Sequence, residues 1–175
     1  MFPTMKSDKI LLVLLFIIQS SFVFAIEQAS EERLDEVATK GRSVMPFNLE
    51  KTLHVFTKTE QGGVQQVTVK NPQDDSQITL IQSHLDKIYQ DFKQRDFSDP
   101  EEIHGPDMPG LKALRESSSS DIVLQYRQLK QGAEITYTTK KPELIEAIHL
   151  WFDAQLSDHA RHSSMHQLHH KMMHK

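Results

Sequence analysis

Leu53 to Thr59 and Val64 to Lys70 are runs of apolar and polar residues rich in β-branched and aromatic side chains, on either side of Glu60-Gln61-Gly62-Gly63. Two such β-rich runs joined by a glycine-bearing turn predict a β-hairpin. Asn71-Pro72 ends the second strand, and Asp74, Asp75 and Ser76 then offer side chains able to cap a helix. Ile78, Ile81, Leu85, Ile88, Tyr89 and Phe92 follow at helical spacing, so a long amphipathic helix is predicted to about Arg95. The plan recurs downstream. Ile122 to Leu129 alternates, Lys130-Gln131-Gly132 turns, Ala133 to Thr139 returns, and Pro142 opens a helix whose stripe is Leu144, Ile145, Ile148, Phe152 and Leu156.

Two ββα units of this kind predict an α+β fold in which a four-stranded antiparallel sheet carries both long helices on one face. Between the units, Phe97 to Gly110 is rich in proline and glycine and is predicted as a connection, followed by a short helix near Leu111 to Arg115. Ahead of the first hairpin, the charged stretch from Glu27 predicts a short surface helix ending at Gly41. The expected division is residues 1–25 as a leader, 26–50 as an N-terminal helix and lead-in, 51–158 as one domain, and 159–175 as a tail.

The leader reading comes from Lys6 and Lys9 ahead of the apolar run Ile10 to Ile18 and a Val23-Phe24-Ala25 ending. This three-part pattern predicts a cleavable signal peptide and export to the periplasm or medium. The apolar run is too short for a bilayer-spanning helix, and no cysteine follows it to accept a lipid. The leader carries a net +1, leaving −5 on the remainder against −4 for the whole chain. Such mild acidity argues against nucleic-acid binding, and no membrane anchor is expected after cleavage. A protein partner is not specified by the sequence.

Composition then adds chemistry. The 175-residue chain has no cysteine and ten histidines, six of them in the last seventeen residues: His159, His162, His166, His169, His170 and His174. Met165, Met172 and Met173 lie among them. Imidazole suits copper, nickel and zinc, and thioether favours cuprous ion, so the tail is expected to bind a transition metal, copper foremost. Within the domain, His84 and His149 lie beside the stripes of the two long helices and would converge if those helices pack side by side. His149 and Asp153 stand four residues apart, as either a ligand pair or a helical charge pair. His104, Asp107 and Met108 put imidazole, carboxylate and thioether within five residues. The expected domain ligands are therefore His84, His104, Asp107, Met108 and His149, while His54 on the first strand can face either way. No nucleophile elbow, phosphate loop, nucleotide fingerprint or closed zinc motif occurs, which argues against an enzyme.

Several stretches carry a resemblance: Val44-Met45-Pro46-Phe47, His54-Val55-Phe56-Thr57-Lys58-Thr59, Asp96-Phe97-Ser98-Asp99-Pro100, His104-Gly105-Pro106-Asp107-Met108-Pro109-Gly110-Leu111, and Trp151-Phe152-Asp153-Ala154-Gln155 with Asp158-His159. In these the chain resembles a small family of exported bacterial proteins whose members often bear the label aspartate carbamoyltransferase. The likeness spans about Ala38 to His159 and implies no catalytic residues. The label itself fails chemically, because the Ser-Thr-Arg-Thr and His-Pro-x-Gln segments of true carbamoyltransferases are absent. The leading expectation is an exported copper-binding protein. The alternatives are a small enzyme using His104 or His149 as base with Asp107 or Asp153 orienting it, or a module that recognises a partner through Gln125, Arg127, Glu134 and Thr136 on an open sheet face.

Overall fold

The computed structural model describes residues 29–160 and the short strand Ser163–Met165. The leader and the tail residues His162, His166, His169, His170, Met172, Met173 and His174 lie outside the described residues. The element order is α1 (Glu31–Val44), β1 (Thr52–Thr59), β2 (Gly62–Val69), α2 (Asp75–Lys93), α3 (Ser98–His104), α4 (Leu111–Glu116), β3 (Ile122–Leu129), β4 (Gly132–Thr139), α5 (Pro142–Asp158) and β5 (Ser163–Met165). Among these, no helix is long and apolar enough to cross a membrane.

The fold is α+β. Four strands pair antiparallel in the order β3-β4-β2-β1, and β5 adds to the outer edge of β1 in parallel, with Ser163 opposite His54. Both hairpins close with two-residue turns that put Gly62 (φ 136°) and Gly132 (φ 157°) on the first position of the returning strand. The long helices lie on one face of the sheet, but each reaches past its own hairpin. Helix α2 packs chiefly on β4 and β3, whereas α5 packs chiefly on β2 and β1. The exchange interleaves the two ββα units around one core, in which Ile81, Leu85, Phe92, Ile135, Ile148, Trp151 and Phe152 are almost fully buried.

Three local expectations change. Helix α1 runs through Gly41 to Val44, and Leu34 and Val37 are buried, so it belongs to the body. Gly41 is there for close packing: a Cβ on it would lie 2.6 Å from the Met45 methyl. Ser98–His104 is helical despite Pro100, which sits in the first turn, where its missing N–H costs no hydrogen bond. On the outer sheet face, Glu134 is only 7% exposed, because Arg127 and Gln66 cover it with hydrogen bonds of 2.6 to 3.1 Å. The expected exposed quartet is thus interrupted by a satisfied ion pair.

Gly110 begins α4 at φ 77°, and any Cβ there would collide with the Ala147 carbonyl of α5. Gly110→Ala is expected to lower the unfolding free energy by about 3 kcal/mol, combining left-handed strain with a clash that backbone alone cannot relieve. Urea denaturation monitored by circular dichroism measures it, and an unchanged midpoint would contradict the packing described.

Candidate functional site

The last residues of two helices meet at one end of the molecule. Helix α3 ends at His104 and α5 ends at Asp158, with His159 as its C-cap. The Nδ1 of His104 stands 2.8 Å from Asp158 Oδ2. Arg33, from the first turns of α1, forks onto the same carboxylate, with Nη2 2.7 Å from Oδ2 and Nε 3.2 Å from Oδ1. Its Nη2 also donates to the His104 backbone carbonyl at 2.9 Å. A carboxylate at a helix C-terminus opposes the helix dipole, and α5 has no basic residue in its last turn. The cation comes instead from α1, across 125 residues of sequence.

The electrostatics follow from burial and this fork. Burial raises the Asp158 pKa, yet hydrogen bonds from His104 and Arg33 outweigh it and hold the carboxyl at about 2. Burial lowers His104, against the pull of Asp158, whose charge is already shared with Arg33. His104 is therefore neutral at pH 7. An ionised carboxylate can only accept, so the His104 proton sits on Nδ1 and its Nε2 carries a lone pair. That Nε2 is 3.2 Å from Nε2 of His159.

A third imidazole adjoins the pair. His54, in β1, faces the helices and its ring centroid lies 5.5 Å from that of His159, while the His104 and His159 centroids are 4.9 Å apart. Phe47 separates His54 from His84, its ring 5.8 Å from one and 5.6 Å from the other. All four histidines are less than 9% exposed. They line a cavity of about 50 Å³, shared with Met45, Gln65, Trp151 and Gln155, which has room for a few waters or one small ion. The buried indole N–H of Trp151, in the same wall, meets no acceptor among the described residues.

Of the ligands expected in the domain, His84 and His104 reach this cavity. The others do not. Asp107 is exposed and Met108 is buried in the core. His149 faces the β1–β2 turn, where its Nε2 lies 3.0 Å from the Thr59 carbonyl and 2.9 Å from that of Gly62. Asp153 pairs with Lys58 at 2.5 Å instead of with His149. The carboxylate that orients His104 is Asp158, so neither Asp107 nor Asp153 takes that part. His159, expected in a polar tail, is 6% exposed and belongs to the body. Met165 closes β5 on the edge of β1. Among the described residues, no group of three or more His, Cys, Asp or Glu side chains is placed so that it could hold a metal ion.

No known protein family, curated protein or solved structure matches this chain.

The buried His84 is held at about pKa 4, mainly by desolvation, with Lys87 lowering it further and Asp99 and Asp91 opposing. The folded state thus refuses a proton that the unfolded chain accepts below about pH 6.5. Stability contributed by neutral His84 is complete above that pH and is lost as pH falls from about 6.5 to 4. The loss is expected to be on the order of 3 kcal/mol by pH 4. Denaturant unfolding at pH 7 and pH 4.5 reads it, and His84→Asn should flatten the dependence; an equal slope in both proteins would contradict this assignment.

Proposed function

We propose that this is an exported transition-metal-binding protein whose folded domain holds one ion through His104 and His159, with the histidine- and methionine-rich tail as an accessory collector. The observation that carries this reading is the pair of Nε2 atoms 3.2 Å apart, backed by Asp158 and Arg33. Two imidazoles on a tetrahedral ion, with bonds of 2.0–2.1 Å, place their nitrogens about 3.3 Å apart and their ring centres roughly 5.2 Å apart. The His104–His159 nitrogen separation fits, and the centroid distances of 4.9 and 5.5 Å from His159 to His104 and His54 bracket the second value. His54, whose ring adjoins that of His159, would be the third ligand.

The carboxylate behind His104 has a definite task in this scheme. A ligating imidazole that donates its other N–H to a carboxylate is fixed in tautomer and made more basic. Asp158 supplies that acceptor, and Arg33 keeps it ionised and oriented. His159 Nε2 lies within hydrogen-bond distance of the His104 Nε2 lone pair, and a bound metal would be held through the Nε2 lone pairs of both rings. The same Asp158–His104 pair has the form of a general-base dyad, but its Nε2 is already engaged by His159, which favours ligation over base catalysis.

Titration of the full-length mature chain with Cu(II), Ni(II) and Zn(II) against chromophoric chelators tests the reading. At least one equivalent is expected to bind with a dissociation constant below about 1 µM, and His104→Gln/His159→Gln should remove one equivalent while leaving tail-bound metal. Unaltered stoichiometry and affinity in the double variant would refute the domain site. Affinity of the tail for metal is also expected to fall as pH drops below about 6, because only neutral imidazole binds metal.

A further inference from the structure

The cavity wall holds one soft donor that the proposed ligand set leaves unused. Met45 is the C-cap of α1, its N–H bonded to the Gly41 carbonyl at 2.8 Å, and the residue is 7% exposed. It lines the same cavity as His54, His104 and His159. Two features constrain its side chain. Pro46 and Phe47 follow at once, with Phe47 wedged between His54 and His84. The Met45 methyl lies over Gly41, at a distance of 2.6 Å from where a Cβ would stand, so any larger residue at 41 would displace it.

We infer that Met45 is a thioether ligand which makes this cavity a cuprous-copper site, the cavity's juxtaposition of Met45 with His54, His104 and His159 supplying a mixed nitrogen and sulfur donor set. The inference rests on the metal-binding reading above and goes beyond it by naming the ion and a new residue. The chemistry selects as follows. Thioether sulfur is a soft, neutral donor that binds Cu(I) and contributes little to Zn(II) or Ni(II). The donors proposed here are all neutral, and the two carboxylates nearby are engaged elsewhere, Asp158 by His104 and Arg33 and the cavity-lining Asp99 by Lys87 at 2.8 Å. A buried set of neutral ligands stabilises a monovalent ion with less uncompensated charge than a divalent one. The apolar neighbours Phe47, Val67 and Trp151 keep bulk water from competing.

The test uses the full-length mature chain labelled with [methyl-13C]methionine, titrated anaerobically with Cu(I) and separately with Zn(II). The Met45 resonance is identified by its absence in Met45→Leu, a near-isosteric change that keeps the core filled. Cu(I) is expected to shift that methyl together with the imidazole resonances of His104 and His159, whereas Zn(II) shifts the imidazoles only. Chelator competition should then show Met45→Leu weakening Cu(I) at this site about tenfold or more, with Zn(II) changed less than twofold. If the imidazoles respond to Cu(I) while the Met45 methyl stays put, the thioether assignment is overturned and the metal-binding reading stands. If neither responds to any ion, both are overturned.

Discussion

The orientation of His104 among this protein's buried histidines depends on one ion pair, the fork of Arg33 on Asp158. It joins the first helix of the body to the last and, through His104, to the third. Each partner alone would be costly. Asp158 sits at the wrong end of a helix, and His104 is buried with a side chain 1% exposed. Together they satisfy one another, because the guanidinium neutralises the carboxylate and the carboxylate takes the imidazole proton. The consequence is directional: one specified nitrogen of His104 is left with a lone pair, aimed at His159.

Burial of so many imidazoles in a small domain departs from what stability alone would select. A hydrophobic residue at position 84 would avoid desolvating a titratable ring, and His54, His104 and His159 occupy positions where apolar side chains would fill the same space. Local costs of this kind, gathered at one cavity, are what is expected where function competes with packing. The rest of the body shows the opposite tendency, with an aromatic cluster of Phe92, Phe97, Tyr137, Trp151 and Phe152 in mutual contact beneath the helices.

The layout of the sheet and its two long helices was legible because hairpins and amphipathic helices are written in local periodicity. The strand near 53–59 follows from its β-rich composition and that near 122–129 from alternation, and Asp74 caps α2 as its position suggests. What periodicity does not encode is which helix covers which hairpin, nor that Pro100 opens a helix that carries His104 into the core. The site was half legible for the same reason. His84 and His104 stand out by type, but spacing rules paired His149 with Asp153, whereas tertiary structure gives Asp153 to Lys58 and His104 to Asp158. Met45 was hidden by its resemblance to an ordinary core residue. The one usable signal was the Asp158-His159 pair at the end of a strongly apolar helix, polar chemistry where the stripe predicts a simple stop.

The tautomer and engagement of His104 and His159 form the centre of this account, and long-range 1H–15N correlation of the imidazoles in the full-length chain reads both directly. Without metal at pH 7, His104 should be the Nδ1–H tautomer, held by Asp158. One equivalent of Cu(I) should shift Nε2 of both His104 and His159 while His104 keeps its Nδ1 proton. An Nε2–H tautomer at His104, or Nε2 resonances indifferent to copper, nickel and zinc alike, would contradict it.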